Sequence, residues 1–366
     1  MKRVIQSTTI AVDKTFSAEL IAWQKLYGRH QLPWQNTRDP YRIWLSEIML
    51  QQTQVTAVIP YYLRFLSRFE TVSALAQAPV EDVMAHWSGL GYYTRARNLH
   101  RCAQQIMSQH GGEFPSDPEQ LMQLPGIGRS TAAAIAAFAF GARAAILDGN
   151  VKRVFCRVFG IEGYPGEKRI ENMLWERAES LMPTRSVEAY TQGLMDLGAT
   201  VCVRSRPLCA QCPLQHRCVA VATSRTASLP TRKPKKVIPE KSTVMLVALH
   251  KGRVLLEQRP AQGIWGGLLS LPELSRVVPL GSDVISRRAM QRALRDFGEL
   301  EAWELLPAFS HGFTHYKLHI QPVCLYLKKR HTLAAQAEFV WLGLQEIANA
   351  ALPAPVKKLL LNLPVV

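Results

Sequence analysis

The chain has 366 residues, and its 44 lysines and arginines oppose 28 acidic residues, which gives a formal charge of +16. A chain of this length can fold as two or three domains, each with its own core, and we expect two. The basic excess indicates a polyanionic partner, because phosphate contacts release condensed counterions. Nucleic acid is the first expectation and an anionic membrane surface the second. The N-terminal sequence contains neither an apolar signal region nor a membrane span, so we expect a soluble, untargeted, cytoplasmic protein.

The chain from about 16 to 222 predicts an all-α domain. Asp39 before Pro40 and Asp117 before Pro118 are typical of a helix N-cap followed by proline in the first turn. Apolar residues then recur at intervals of three and four, as in the run STAAAIAAFAF, which ends at Gly141.

Glu47 lies on one of these predicted helices, in YRIWLSEIMLQQT. It is three and four positions from Trp44 and Ile43, which places its carboxyl group beside an apolar helix face. Burial raises the pKa of a carboxyl group and can make it a general acid at neutral pH. The alternative is an amphipathic-helix glutamate that reaches solvent, and the sequence leaves both open.

The residues GLGYY at 89–93 form a glycine-containing loop with two adjacent tyrosines. Such a loop can enter a base stack when a nucleotide is turned out of the duplex. Tyrosines are also common in ordinary turns, so this motif alone is weak.

The segment LMQLPGIGRSTAAAI predicts a short helix, a turn at 124–128 and a second helix. Gly126 and Gly128 let the backbone approach a phosphate, and the second helix directs its N-terminal amides at the same place. This pattern resembles a helix-hairpin-helix, a non-specific clamp for the DNA backbone. A plain αα-hairpin would have the same glycines, and the basic charge of the chain favours DNA.

Asp148, in ILDGNVKRV, is a predicted N-cap for a helix that starts near Val151. The same carboxylate could face a developing cation and stabilise it. A protonated acid paired with an ionised carboxylate is what cleavage through an oxocarbenium-like state requires, so Glu47 and Asp148 form a candidate pair.

Four of the seven cysteines lie close together, with six, two and five residues between them: Cys202, Cys209, Cys212 and Cys218. An odd total without a secretory signal argues against a disulfide framework. Soft thiolate ligands at this density predict a metal site, with a 4Fe-4S cluster ahead of zinc because only one Cys-x-x-Cys pair is present. Cys102, Cys156 and Cys324 are expected to be buried as small apolar residues.

Residues 223–241, TSRTASLPTRKPKKVIPEK, are rich in proline and basic residues and predict an interdomain linker. Beyond it, 242–366 predicts an α+β domain. STVMLVALHKGRVLLEQR indicates a β-hairpin, HGFTHYKLHIQPVCLYLKK a further strand, and VKKLLLNL a helix.

The segments SEIMLQQTQV, GLGYYTRARNLH, LPGIGRST, LDGNVKRV and the cysteine run occur in the order seen in the endonuclease III superfamily of base-excision glycosylases, which the whole chain resembles. It is most similar to the adenine-specific branch. Ser130 stands where the thymine-glycol branch has its Schiff-base lysine, and the C-terminal domain resembles a Nudix module. The resemblance implies an all-α helix-hairpin-helix domain with an iron-sulfur loop over 1–222, followed by an α+β Nudix-like domain over 242–366.

The resemblance also implies an activity. The chain is expected to be a monofunctional glycosylase, acting as a monomer on double-stranded DNA, that hydrolyses the N-glycosidic bond of adenine opposite 8-oxoguanine or guanine. Glu47 would protonate adenine, Asp148 would stabilise the sugar cation, and Asn150 would position the reacting groups. Contacts with DNA or the damaged base are implied for Gln52, Thr53, Tyr92, Gly126, Gly128, Ser130, Phe309, Ser310 and His311, and the four clustered cysteines would hold a 4Fe-4S cluster.

Two departures from the family pattern limit these expectations. Phe138 replaces a tyrosine that some members have near the flipped base, and MQRALRDFGEL lacks the paired glutamates of a Nudix metal helix. Three rival functions stay open. They are an endonuclease III-like glycosylase and lyase for oxidised pyrimidines, a non-catalytic iron-sulfur protein for DNA binding or redox signalling, and a nucleotide pyrophosphohydrolase, which the missing glutamates disfavour.

Overall fold

The computed structural model describes residues 14–234, 237–260, 262–274, 285–313, 315–331 and 338–363. The chain forms two compact units. The first comprises Met1–Gln77 and Asn98–Lys235, and the second comprises Ala78–Arg97 and Lys236–Val366. The segment 78–97 thus belongs by its contacts to the unit that is built mainly from the C-terminal part of the chain.

The N-terminal part is helical, as predicted. Its helices, in order, are α1 (Lys14–Tyr27), α2 (Pro40–Leu50), α3 (Val55–Arg68), α4 (Val72–Gln77), α5 (Val80–Trp87), α6 (Thr94–His110), α7 (Pro118–Leu121), α8 (Arg129–Phe140), α9 (Gly149–Val158), α10 (Lys168–Ser180), α11 (Val187–Asp196) and α12 (Val219–Ala222). A π-helical turn, Leu197–Val201, continues α11, and two 3-10 turns, Cys209–Gln211 and Gln215–Arg217, shape the cysteine loop.

The predicted helix boundaries rest on side-chain caps. The Asp39 carboxylate accepts a hydrogen bond from the Tyr41 amide at 2.9 Å, and Asp117 accepts one from the Glu119 amide at 3.1 Å. Gly141 ends α8 in the left-handed conformation, with a φ of 69°. Both aspartates therefore satisfy N-terminal amides that the helix itself leaves unpaired.

The core of the first unit packs the apolar faces of α1, α8, α9 and α11 against each other. The Phe16 ring makes T-shaped contacts in this core with the rings of Phe155 and Tyr190, at centroid distances of 6.1 and 6.4 Å. Leu229, within the predicted linker, also enters this core and is 2% exposed. The linker thus begins with residues that belong to the helical core, and Lys235 and Lys236 lie outside the described residues.

The second unit contains a mixed sheet of β1 (Glu240–His250), β2 (Arg253–Gln258), β3 (Leu269–Ser270), β4 (Gly298–Leu305), β5 (Phe309–Gly312), β6 (Lys317–Arg330) and β7 (Phe339–Gly343). The order is β3-β2-β1-β6-β4, with β5 on β6 and β7 on β2. β1 and β6 run parallel, and the other pairs are antiparallel. The second unit also contains two helices, α13 (Arg287–Ala293) and α14 (Ala354–Leu361).

The predicted hairpin is present, with Lys251 and Gly252 at φ of 47° and 71° in its turn. The predicted strand that begins at His311 is instead two strands. A hydrogen bond from the Phe313 amide to the Tyr316 carbonyl, 2.8 Å, closes a turn between β5 and β6. The predicted C-terminal helix corresponds to α14. None of the described helices has both the length and the apolar character that a membrane span requires.

Candidate functional site

Glu47 lies on α2, whose Trp44 and Ile48 side chains are packed into the core, 0% and 2% exposed. The Glu47 side chain itself keeps partial access to solvent. Burial raises its pKa to about 8, and the nearby charge of Asp148 raises it in the same direction. The predicted acid is therefore protonated at neutral pH.

Asp148 caps α9, which starts at Gly149, two residues before the predicted position. Its carboxylate accepts hydrogen bonds from the Val151 amide at 2.8 Å and the Asn150 side-chain amide at 3.4 Å. Burial raises the pKa of Asp148 above its ordinary value, and the opposing effect of these donors and of the positive charge of Arg153 reduces this rise without cancelling it. The donors and Arg153 thus favour the ionised form of a carboxylate that burial disfavours.

Glu47 and Asp148 come from helices that are about a hundred positions apart in the chain, and their carboxyl groups are close enough that the charge of Asp148 raises the pKa of Glu47. Burial and the charge of Asp148 favour the protonated form of Glu47, and the hydrogen-bond donors around Asp148 favour its ionised form, so the pair can offer a proton donor beside a negative charge when Asp148 is ionised. This is the arrangement that glycosidic cleavage through a cationic sugar requires.

Asn150 is fixed from two sides. Arg153 donates to the Asn150 side-chain oxygen at 2.8 Å, to the Gly198 carbonyl at 2.6 Å and to the Cys202 carbonyl at 2.7 Å. Gly198 lies so close that a Cβ there would be 2.5 Å from the Asn150 Cβ. The residues beside Asp148 are therefore anchored on the π-helical turn that leads into the cysteine loop.

The predicted helix-hairpin-helix is formed by α7 and α8. Gly126 has a φ of 81°, and a Cβ there would be 2.9 Å from the Asn98 Cβ, so no larger residue fits without displacement. Gly128 caps α8 and faces open space. The Ser130 hydroxyl accepts a hydrogen bond from the Leu147 amide at 3.0 Å, which ties α8 to the residue before Asp148.

Gln52 and Thr53 lie in the turn between α2 and α3. Gln52 is exposed and has a φ of 59°, a conformation that residues other than glycine adopt rarely. The Thr53 hydroxyl donates to the Gln51 carbonyl at 3.3 Å. The turn thus presents a polar side chain to solvent on a constrained backbone, five residues after Glu47.

All four clustered cysteines line one small cavity beneath α9. Burial raises the pKa of Cys212, and the charges of the other three thiolates raise it further. Among the described residues, no three Cys, His, Asp or Glu side chains are placed to hold a single metal ion. Four thiols around one cavity are a soft donor set, which both iron-sulfur clusters and zinc take.

Arg157, 3% exposed, is a buried positive charge beside these thiols. It donates to the Cys202 sulfur at 3.4 Å, the Val203 carbonyl at 2.7 Å and the Arg204 carbonyl at 3.1 Å. It also donates to the Leu229 carbonyl at 2.9 Å. A buried guanidinium needs negative charge nearby, which these cysteines would supply in their thiolate form. Cys102, Cys156 and Cys324 are buried elsewhere, as predicted.

In the second unit, Tyr92 is 50% exposed and has a φ of 49°. The buried Arg95 donates to the Leu90 and Gly91 carbonyls at 3.3 and 3.1 Å, and its guanidinium lies 5.6 Å from the Tyr92 ring. The loop at 89–93 is therefore built to project one aromatic ring from a fixed backbone.

Phe309, Ser310 and His311 lie on strand β5. His311 and Tyr92 line one groove of about 420 Å³. Trp265 packs against His311 with ring centroids 5.8 Å apart, and burial lowers the pKa of that histidine. Phe309 and Ser310 line a separate cavity, so the three residues do not form one surface.

Several residues that hold the site residues in place were not among those predicted from the sequence. Arg153 lies three residues after Asn150, a helical spacing that could have indicated their contact. Arg95, Arg157 and Trp265 carry no such signal, because their partners are backbone groups or distant rings that only the fold brings near.

Residues 45–180 match the family described as "HhH-GPD superfamily base excision DNA repair protein", and residues 243–362 match the family described as "NUDIX domain". Among curated proteins, the adenine DNA glycosylase of Buchnera aphidicola subsp. Baizongia pistaciae is 36% identical over 94% of this chain and 95% of its own length. The human adenine DNA glycosylase is 32% identical over 95% of this chain and 74% of its own length.

Among solved structures, a thermostable thymine-DNA glycosylase is 30% identical, with a TM-score of 0.53. The match covers 57% of this chain and 96% of that one. The structural likeness therefore covers a little over half of this chain, whereas the curated relatives match along nearly the whole chain.

Proposed function

Because this chain belongs to the adenine DNA glycosylase family of base-excision repair enzymes, we propose that it hydrolyses the N-glycosidic bond of adenine opposite 8-oxoguanine or guanine in duplex DNA. The single observation that carries this proposal is the carboxyl pair, in which burial and the charge of Asp148 keep Glu47 protonated to about pH 8.

In the proposed mechanism, Glu47 donates its proton to a ring nitrogen of the flipped adenine. Protonation makes adenine a neutral leaving group, so the bond to the sugar breaks with the electron pair moving to the base. The partial solvent access of Glu47 is what allows a substrate to reach a carboxyl group whose surroundings are otherwise apolar.

Asp148 then faces the positive charge that develops on the sugar. Its bonds to the Val151 amide and to Asn150 fix the carboxylate before the charge appears, so little reorganisation is needed. Water adds to the sugar carbon, its proton returns to a carboxylate, and the products are free adenine and an abasic site.

Ser130 supports a glycosylase without efficient lyase activity. A lyase of this superfamily forms a Schiff base through a lysine, and the hydroxyl here has no amine to offer. The Ser130 hydroxyl instead accepts a hydrogen bond from the Leu147 amide and so holds the segment that leads to Asp148.

For DNA binding, we propose that the turn at Gly126 and Gly128 holds a phosphate at the N-terminus of α8, where a Cβ on Gly128 would meet nothing within 4 Å. Gln52, Thr53 and Tyr92 would enter the base stack as adenine leaves it. The formal charge of +16 supports a partner with many phosphates.

We further propose that Cys202, Cys209, Cys212 and Cys218 hold a 4Fe-4S cluster. When bound, it would cross-link the loop over 202–218 and its basic surface, and the hydrolysis proposed above transfers no electrons. His311 and the groove that it lines would contact the base opposite adenine. The protein would act on chromosomal DNA as a monomer.

The test is a glycosylase assay on 8-oxoguanine:adenine, guanine:adenine and thymine-glycol duplexes. We expect free adenine from the first two and no strand nicking before alkali treatment. Release of thymine glycol with nicking would instead support the glycosylase and lyase alternative, and no adenine release from the first duplex would refute the proposal.

A further inference from the structure

The Tyr93 hydroxyl lies at a junction of two backbone segments in the second unit. It accepts a hydrogen bond from the Gly89 amide at 3.3 Å and donates to the Leu352 carbonyl at 3.3 Å. Leu352 is fully buried and lies just before α14. One hydroxyl group therefore closes the loop at 89–93 and binds it to the C-terminal part of the chain.

Other polar contacts reinforce this junction. The Ser88 hydroxyl donates to the same Leu352 carbonyl at 3.0 Å, and Lys357 of α14 donates to the Ser88 hydroxyl at 3.4 Å. At the other end of the segment, Arg97 donates to the Gly266 carbonyl, next to Trp265. The segment that carries Tyr92 is thus fastened at both ends to the unit that carries His311.

These contacts fix the two walls of the groove relative to each other. Tyr92 lines the groove from the segment 78–97, and Trp265 and His311 line it from the C-terminal part of the chain. Because Tyr92 is half exposed and its backbone has a positive φ, the orientation of its ring depends on how the loop is held. Within the loop at 89–93, Tyr93 is the residue whose side chain donates to the Leu352 carbonyl, and Ser88 lies just before the loop.

We propose that Tyr93 is a specificity-positioning residue, whose hydroxyl couples occupation of this groove by the oxidised base to the placement of Tyr92 in the base stack. The inference rests on the proposed function. 8-Oxoguanine differs from guanine in an oxygen at C8 and a proton at N7, so only the oxidised base offers the groove both a new acceptor and a new donor. Guanine lacks both groups, so adenine release opposite guanine should depend little on this coupling.

The experiment replaces Tyr93 by phenylalanine, which removes the hydroxyl and keeps the ring. A single hydrogen bond changes an equilibrium roughly two- to tenfold. We expect the ratio of single-turnover adenine release from 8-oxoguanine:adenine over guanine:adenine to fall by that factor, with the guanine:adenine rate within about twofold of wild type. The double variant Ser88→Ala, Tyr93→Phe, which removes both donors to Leu352, should lower the ratio further.

The matched control is Tyr326→Phe, which deletes a hydroxyl of the same unit that donates to Glu304 at 2.7 Å on strand β4. Its ratio should equal that of wild type. An unchanged ratio in Tyr93→Phe, or an equal loss on both duplexes together with a lower melting temperature, would overturn the proposal and leave Tyr93 a purely structural residue. Failure of the wild-type protein to release adenine from either duplex would instead refute the proposed function itself.

Discussion

The charge of Asp148, on the helix α9, adds to burial in raising the pKa of Glu47, on the helix α2, to about 8. The two carboxyl groups therefore cannot be treated as independent, and the protonation of one depends on the charge of the other. Predictions for each residue follow from this coupling.

Replacing Glu47 by glutamine should reduce adenine release by at least about a hundredfold, because general acid catalysis contributes roughly two to four orders of magnitude. Glutamine keeps the shape and the hydrogen-bonding capacity of the side chain but has no acidic proton. Single-turnover rates with saturating enzyme measure the effect, and DNA binding measured in parallel should be close to that of wild type. A rate within tenfold of wild type would contradict the assignment.

The same variant should be more stable than wild type at neutral pH. In the unfolded chain Glu47 ionises near pH 4.3, whereas in the folded chain it stays protonated to about pH 8. The folded state therefore loses about 1.4 kcal/mol of stability per pH unit across that window, a loss that glutamine avoids. Melting temperatures should differ at pH 7.5 and coincide at pH 4; coincidence at both would show that Glu47 is not buried as a neutral acid.

Asp148→Asn should slow excision by about three orders of magnitude, since a unit charge at about 4 Å gains about 4 kcal/mol at an effective dielectric near 20. Asparagine is also a good N-cap, so α9 should keep its stability. Loss of the Asp148 charge should also move the alkaline limit of Glu47 protonation to a lower pH. The pH dependence of unfolding for this variant, compared with wild type, measures that shift, and no shift would refute the coupling.

Gly198→Ala should impair excision without touching either carboxyl group. A methyl group there would be 2.5 Å from the Asn150 Cβ, so Asn150 must move, and its hydrogen bond to Asp148 moves with it. We expect at least about a tenfold loss in rate, the size of one lost hydrogen bond near the upper end of the usual range. Gly252→Ala, in the hairpin turn of the other unit, controls for the general cost of changing a glycine; equal losses in both would remove the positional argument.

Cys209→Ser should lower the iron content of the purified protein and its affinity for DNA, because three thiolates remain where four are proposed to bind. Cys102→Ala, a buried cysteine outside the cavity, should keep its iron. Iron and zinc are quantified per chain in both variants. Full iron content in Cys209→Ser would exclude that ligand, and zinc in place of iron in wild type would exclude the cluster.

The sequence predicted the helical half, the hairpin and the capping aspartates because each rests on local patterns of three to five residues. It also predicts Glu47 and Asp148 as the catalytic pair, because their contexts recur in a family, and that assignment stays a prediction. It did not predict the anchoring by Arg153, Arg157 and Arg95, because a guanidinium that binds backbone carbonyls leaves no pattern in the residues that supply them. The grouping of 78–97 with the C-terminal unit was missed for the same reason, since it depends on contacts with residues more than 160 positions away.

The most direct test of the central claim measures free adenine released from an 8-oxoguanine:adenine duplex by wild type, Glu47→Gln and Asp148→Asn at pH 7 under single-turnover conditions. We expect adenine and an abasic strand from wild type only, whereas both variants should still bind the duplex. Adenine release by either variant at the wild-type rate would contradict it.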